Sequence, residues 1–242
     1  FGFACDETPA LMPLPIMLAH RLARRLDQLR EEGLCAWLAP DCKAQVSVGY
    51  ENGRPAGVHS VTVVATAREG MEPGPATDLR DLLLDAFDGS SHGLTGRKPG
   101  IDTYGDYTRQ SGSALSGKDP SRIDRIGAYA ARHAARNVVA SGLANRCEVH
   151  IAYGIGQSRP ISIAVDTFGT GRDPDERIAR TLGELIDFRP AAILKRFALR
   201  ARPAQAASLI VQAIRRQDQA EVVAFARTWP KGAAAYPHLA AG

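Results

Sequence analysis

The chain has 242 residues, of which 45% are hydrophobic and 23% charged, as in a water-soluble protein of one large or two ordinary domains. No apolar run is long enough to span a bilayer, so we expect no membrane partner. The net charge of +4 would allow a nucleic-acid-binding protein, but only 6% of residues are aromatic and no basic run alternates with them. The composition therefore favours a small polyanion as the partner of the positive charge.

The cysteines and the start of the chain bear on its compartment. None of the four cysteines has the short paired spacing that zinc sites use, so we expect free thiols, buried or half-buried, in a reducing cytosol. Acidic residues and prolines interrupt the first apolar residues, which argues against a signal peptide and favours a cytoplasmic location. Because the chain begins at Phe1 and not at methionine, we expect a fragment or a processed product.

The first predicted element is an amphipathic helix over residues 14–32, because leucines recur there at intervals of three and four with arginines between them. Pro13 and Pro15 suit its first turn, and Gly33 suits its end. Its basic face would also fit a membrane surface or an acidic partner, but a helix packed on a sheet is the favoured interpretation.

A hairpin is predicted next. Partial alternation indicates a strand over residues 43–50, and a β-branched run indicates another over residues 58–66. Asn52-Gly53 between them is the strongest short signal for a hairpin turn. A short helix is predicted over residues 78–87.

The most informative segment runs from Gly93 to Arg125 and combines cationic side chains with glycines, small hydroxyl residues and aspartates. Its glycines break any helix and allow backbone amides to approach an anion closely. Lysine and arginine at the edges of such a loop are what a polyphosphate needs, so the segment predicts a nucleotide polyphosphate site. The cations are Arg97, Lys98, Arg109, Lys118, Arg122 and Arg125.

Part of this segment, from Gly112 to Asp119, nearly matches the P-loop pattern GxxxxGK[ST]. Asp119 cannot supply the hydroxyl that binds magnesium in P-loop enzymes. Residues 101–111 are also too polar and broken for the buried strand that precedes a P-loop. We therefore reject a P-loop NTPase and retain a phosphate-binding loop with Lys118 as its point charge.

A second helix–strand–strand series follows. Apolar patterns predict a helix over residues 121–140, strands over 147–153 and 161–168, and helices over 174–187 and 191–197. Together with the series at residues 14–66, they suggest a weak internal repeat of an α+β unit. Residues 200–242 are predicted only as mixed helix and coil.

Several rare motifs stand in a fixed order along the chain. They are Phe1 to Thr8, Pro40-Asp41-Cys42-Lys43-Ala44-Gln45, Gly93-Leu94-Thr95-Gly96-Arg97-Lys98, Asp102-Thr103-Tyr104-Gly105, Ser116-Gly117-Lys118-Asp119-Pro120 and Phe188-Arg189-Pro190. Together they resemble the S-adenosylmethionine synthetase (methionine adenosyltransferase) family. The resemblance implies repeated α+β domains, each with helices packed on one face of a mixed β-sheet. We expect a central-type domain at residues 1–90, shortened at its end, and a C-terminal-type domain with the phosphate loop at residues 91–242.

The resemblance also implies a reaction, the synthesis of S-adenosylmethionine from ATP and L-methionine with release of phosphate and diphosphate. The methionine sulfur attacks the ribose C5′ of ATP and expels tripolyphosphate, whose charge cations must stabilise. The implied cofactors are Mg²⁺, two ions per site in the intact enzyme, and K⁺. The implied assembly is a homodimer or tetramer with sites between subunits, and no nucleic acid is expected as a partner.

Matching the family's motifs residue by residue implies individual roles. The resemblance assigns tripolyphosphate contacts to Arg97, Lys98 and Lys118, which are therefore the expected catalytic cations. It assigns a magnesium ligand to Asp124. Further ATP contacts fall on Asp41, Lys43 and Ala114, and methionine contacts on Arg122 and Ser91.

The chain departs from the family at some of these positions. Ser91 stands where the family has aspartate, which removes a carboxylate expected near the methionine amine or the adenosine. Arg122 replaces lysine, so the charge is kept while its geometry changes. The chain is also short between about Leu84 and Ser90, and none of its six histidines lies in the family's catalytic His-Pro-Asp motif. His92 is the only histidine beside the phosphate loop.

Three hypotheses remain open. The chain is the central and C-terminal part of an active synthetase, a non-catalytic paralogue or fragment that binds nucleotide or scaffolds a synthetase, or a basic nucleic-acid-binding module. The clustering of charge in one glycine-rich loop argues against the third. Because half of the catalytic constellation is absent, we expect the 242-residue chain alone to be inactive as a synthetase.

Overall fold

The computed structural model describes residues 1–84, 103–105, 107–109, 119 and 121–201. The chain divides into a first unit, which joins residues 1–11 to residues 108–242, and a second unit of residues 12–107. Helices and antiparallel strands occur in both, which confirms the predicted α+β class. The domain division at residues 90 and 91 stays a prediction.

The second unit begins with a long helix. Helix α1 (Leu14–Glu31) follows Pro13 and has Pro15 in its first turn, as predicted. Its leucine face is buried, and Gly33 beyond its end has a φ of 76°, a conformation that glycine adopts without strain. The leucines pack in a core with residues of the following strand and helix. This core contains Leu22, Leu26, Leu29, Leu38, Ala44, Val46, Leu79 and Leu83.

The predicted hairpin is confirmed. Strands β2 (Lys43–Glu51) and β3 (Arg54–Val64) pair antiparallel, and Asn52 and Gly53 between them have φ angles of 50° and 74°, the positive values that a type I′ turn requires. Helix α2 (Ala76–Leu84) begins slightly ahead of its predicted start, and residues 85–87 lie outside the described residues.

The first unit is a three-stranded sheet in the order β1-β4-β5. Strand β1 (Gly2–Cys5) pairs antiparallel with β4 (Arg146–Tyr153), which pairs antiparallel with β5 (Pro160–Asp166). The sequence patterns predicted β4 and β5 but not β1. Strand β5 ends before Phe168 and Gly169, whose positive φ angles turn the chain away from the sheet. All described strand pairs are antiparallel, whereas mixed sheets were expected.

Three helices complete the described part of this unit. Helix α3 (Ile123–Ala140) packs on β1 and β4, and α4 (Asp175–Leu185) packs on β5. Helix α5 (Pro190–Arg196) contacts α3 and leads into a short 3₁₀ turn, Leu199–Ala201. The core between helix and sheet is rich in alanine, because small side chains let α3 approach the strands closely. It includes Ala4, Ala130, Ala131, Ala134, Ala135, Val138, Cys147 and Val149.

The four thiols are free, as predicted, and all but Cys42 are buried. Burial raises the pKa of Cys5 to about 12 and also raises the pKa of Cys147 above its ordinary value. These thiols therefore serve as small apolar core groups. No helix among the described residues is long and apolar enough to cross a bilayer.

An arginine and a glycine fix β1 against α3. The buried Arg132 guanidinium donates hydrogen bonds from Nη1 to the carbonyl oxygens of Phe3 (2.7 Å) and Leu11 (2.9 Å), and from Nη2 to that of Ala10 (2.8 Å). At Gly2, a Cβ atom would lie 2.1 Å from the backbone nitrogen of Arg132. Strand and helix backbones are therefore in direct contact at this point, which only glycine allows.

We predict that Arg132→Met lowers the free energy of unfolding by about 3 kcal/mol, because it leaves the buried Phe3 carbonyl and the half-buried Ala10 and Leu11 carbonyls without their charged donor. Urea unfolding followed by circular dichroism measures the change. Arg180→Met, on the exposed side of α4, is the matched control and is expected to change stability by less than about 0.5 kcal/mol. Equal stability of the two variants would contradict the prediction.

Candidate polyphosphate site

The chain turns sharply just before helix α3. The Asp119 carboxylate accepts hydrogen bonds through Oδ1 from the Ser121 amide (2.8 Å) and from the Ser121 hydroxyl. The Asp119 carbonyl oxygen accepts a hydrogen bond from the Arg122 amide at 3.0 Å. Hydrogen bonds from Ser121 hold the pKa of Asp119 below its ordinary value. A charged carboxylate therefore stabilises the turn that leads into the helix.

Two candidate residues lie directly after this turn. Arg122 is the last residue before α3 and has extended backbone angles, and Asp124 lies in the first helical turn. Both are exposed. The amino end of a helix carries partial positive charge and N–H groups without helical partners. A cation and a carboxylate at such an end can bind an anion and the metal ion that accompanies it.

A single carboxylate suits magnesium when phosphate is present. Mg²⁺ commonly takes one or two protein carboxylates and completes its shell with phosphate oxygens and water. Asp124 fits this pattern as an exposed carboxylate. Among the described residues, no group of three or more histidine, cysteine, aspartate or glutamate side chains could hold a metal ion alone.

A second pair of candidate residues lies at the start of β2. The Lys43 ammonium and an Asp41 carboxylate oxygen are 3.9 Å apart, and both side chains are exposed. Two hydrogen bonds fix the segment just before them. The Ala39 amide donates to the Thr66 carbonyl oxygen at 2.8 Å, and the Arg68 side chain donates from Nε to the Leu38 carbonyl oxygen at 3.0 Å. The pair is thus fixed at its base and accessible at its tips. It belongs to the second compact unit, whereas α3 belongs to the first.

Two cations of the glycine-rich segment have partners within the protein. Arg125 is fully buried, and its Nε donates to the Tyr129 hydroxyl at 2.7 Å. Arg109 forms ion pairs with Glu148 (3.1 Å) and Asp166 (2.9 Å). The remaining predicted contacts, Ser91, Arg97, Lys98, Ala114 and Lys118, lie outside the described residues, as does His92.

Comparison with protein families gives the site its context. The model of the S-adenosylmethionine synthetase C-terminal domain matches residues 86–221, and the model of the central domain of the same family matches residues 1–87. The chain belongs to the S-adenosylmethionine synthetase family. The Asp41–Lys43 pair lies in the part that matches the central domain, and α3 lies in the part that matches the C-terminal domain.

Individual relatives agree with the family models. The S-adenosylmethionine synthase of Synechococcus sp. (strain JA-3-3Ab) is 45% identical over an alignment of 240 positions, and the match covers 85% of this chain and 58% of the relative. That of Parafrankia sp. (strain EAN1pec) is 47% identical over an alignment of 222 positions, and the match covers 81% of this chain and 56% of the relative. The chain therefore spans less than two thirds of the length of these synthases.

Sequence reasoning missed the partners of Arg109 and Arg125. Strands β4 and β5 were predicted, but the register that sets Glu148 opposite Asp166 was not. The contact between Arg125 and Tyr129 could have been predicted from the sequence, because residues four apart lie on the same side of a helix.

We predict that Ser121→Ala raises the pKa of Asp119 towards its ordinary value of 3.8. A lowered pKa means that the turn is fully stabilised above the pKa of the unfolded chain and loses this stabilisation as the pH falls through the folded-state pKa. Carboxyl ¹³C NMR titration measures the value, with Ser158→Ala in the β4–β5 turn as control. An Asp119 titration unchanged by Ser121→Ala would sink the prediction.

Proposed function

We propose that this chain forms the central and C-terminal part of a methionine adenosyltransferase, which makes S-adenosylmethionine from ATP and L-methionine and releases phosphate and diphosphate after water hydrolyses the expelled tripolyphosphate. The observation that carries the proposal is the exposed pair of Arg122 and Asp124 at the amino end of α3, directly behind the Asp119 turn. Family membership supplies the reaction, and this helix end supplies a cation that suits the methionine carboxylate and a carboxylate that suits Mg²⁺.

The reaction requires cations around the phosphates. Attack of the methionine sulfur on C5′ breaks the C5′–O bond, and the electron pair leaves with tripolyphosphate. We assign Arg97, Lys98 and Lys118 to the tripolyphosphate, which they stabilise as its negative charge develops. Asp41, Lys43 and Ala114 contact the nucleotide in this proposal, and Arg122 and Ser91 contact methionine.

Magnesium and potassium belong to the proposal on different grounds. Bound Mg²⁺ would neutralise phosphate charge, and Asp124 would hold one of the two ions expected per site. Potassium rests on family membership alone.

The proposed assembly is a cytoplasmic homodimer or tetramer with sites between subunits. Strand β3 supports a covered surface, because Val58 and Val61, which pair with Val48 and Val46 on one face of the hairpin, are 48% and 39% exposed in the single chain and such valines favour burial. Light scattering of the purified chain tests the assembly, and a monomer at all concentrations would contradict it.

We predict that Lys118→Ala weakens the binding of magnesium tripolyphosphate by about 1.5–3 kcal/mol, the scale of a charge-assisted contact. Isothermal titration calorimetry measures the affinity of the 242-residue chain. Lys195→Ala, on the exposed end of α5, removes the same charge and is expected to bind as the parent does. An equal loss of affinity in both variants would mean that the total charge of the chain, and not a site at Lys118, controls binding.

A non-catalytic paralogue is the second candidate. Arg122 in place of the family's lysine favours it, because the planar guanidinium cannot take the geometry of an ammonium group. Serine at position 91 also favours it, since a carboxylate expected near the substrate is missing there.

We predict that the 242-residue chain alone does not convert ATP and methionine to S-adenosylmethionine, because it contains no His-Pro-Asp motif. Product detection by chromatography checks this, and turnover would overturn it. The product of the intact gene then separates the candidates, because only a synthetase gives turnover. Steeply salt-dependent binding of oligonucleotides by the chain would instead favour a nucleic-acid-binding module.

A further inference from the structure

A groove follows the open side of β5 in the first unit. Strand β5 is the outer strand in the order β1-β4-β5, so about half of its backbone N–H and C=O groups point away from β4. Within the part of the chain that the structure describes, no strand pairs with this side of β5. A cavity of about 570 Å³ lies along it and is lined by six successive residues of the strand, 160–165. The groove therefore borders a strand edge that can accept a further strand.

Helix α4 forms the other wall of this groove. Its residues Ala179 and Gly183 line the cavity with small side chains, and a Cβ atom at Gly183 would lie 3.5 Å from Ile163 Cδ1. Ile161 also lines the cavity and is 63% exposed. A second cavity of about 450 Å³ shares Pro160, Ile163 and Gly183 with the first. The two cavities thus form one groove with an apolar floor along most of the strand.

The position of α4 limits what can fill the groove. A second copy of this chain that paired its β5 antiparallel with this one would bring its own α4 to the same face of the joined sheet. Packed helices need about 8–10 Å between their axes, whereas paired strands lie only about 4.8 Å apart. Two copies would therefore crowd their α4 helices. A single extended segment carries no such helix and fits beside α4.

The charges along the groove favour a basic occupant. Asp175 accepts hydrogen bonds from the Thr167 amide (3.2 Å) and hydroxyl (2.6 Å), directly after β5, so Asp175 and Glu176 lie at the end of the groove where β5 finishes. Among the described residues that line the groove, carboxylates outnumber guanidinium groups, and a polyanion such as nucleic acid would be repelled. These side chains are Asp175, Glu176, Glu184 and Asp187 against Arg159, Arg180 and Arg189.

We propose that the groove between β5 and α4 binds an extended peptide segment by antiparallel strand addition. A lysine or arginine at the amino end of the segment lies beside Asp175 and Glu176, because antiparallel pairing brings that end to the carboxyl end of β5. The described strand pairs of this sheet are antiparallel, which is also the more stable pairing per residue. Backbone hydrogen bonds supply affinity, and alternate apolar side chains pack on Ile161 and Ile163. The proposal does not depend on the tripolyphosphate site.

Fluorescence anisotropy with synthetic peptides on the 242-residue chain tests the proposal. The probe matches the seven residues of β5 and has blocked ends, with lysine at the amino end followed by alternating valine and threonine. Moving the lysine to the carboxyl end, or replacing it by glutamate, is expected to weaken binding at least about two- to fivefold, the scale of an exposed ion pair. Equal binding of the three peptides overturns the proposed orientation and charge preference.

Methylation of the peptide backbone distinguishes strand addition from general adhesion to the groove. In an added edge strand, every second amide N–H is donated to the neighbouring strand, and the others point away from it. Methyl groups on one alternate set of peptide nitrogens are therefore expected to abolish binding, whereas methyl groups on the other set leave it largely intact. Equal effects of the two sets overturn strand addition.

Variants of the chain locate the site. Gly183→Leu fills the groove with a residue that favours helix and is expected to weaken binding at least about tenfold, whereas Ala23→Leu on the exposed side of α1 is the matched control. Glu176→Gln should reduce the preference for lysine over glutamate, and Glu31→Gln at the exposed end of α1 should not. Unchanged binding by Gly183→Leu, or no binding by the parent at up to about 1 mM peptide, overturns the proposal. Thermal unfolding of each variant verifies that folded protein is compared.

Discussion

The hydrogen bonds from the Arg132 guanidinium to three backbone carbonyl groups are the constraint on which the first unit depends. Burial of a cation is costly unless its donors are satisfied, so the backbone between Phe3 and Leu11 must hold its position on α3. That position sets β1, which pairs with β4. Strand β4 in turn carries Glu148, whose charge requires Arg109. The buried arginine and the Arg109 ion pairs thus act on the same sheet.

Much of the fold could be predicted from local patterns. Helix α1 follows from the spacing of its leucines, and the β2–β3 hairpin follows from Asn52-Gly53, because both signals act within a few residues. Strand β1 could not be predicted, since four residues carry little periodicity and its partner lies in the other half of the chain. Its place is decided by contacts with α3 that no local pattern encodes.

In the candidate site, too, some features follow from local patterns and others depend on tertiary contacts. The exposure of Arg122 and Asp124 follows from where α3 begins, and a helix was predicted there. Arg109 and Arg125 belonged to the same run of cations in the sequence, yet one pairs with two carboxylates and the other is buried beside Tyr129. Charge density along a chain does not separate cations that bind ligands from cations that satisfy the fold, because tertiary neighbours make that distinction.

The pairing of β1 with β4 means that the second unit is an insertion within the first. The first unit closes only when residues at the two sides of this insertion meet, as Gly2 and Val149 do. The entropy of closing such a loop grows only logarithmically with its length. The inserted unit could therefore gain or lose residues during evolution at little cost to the β1-β4-β5 sheet.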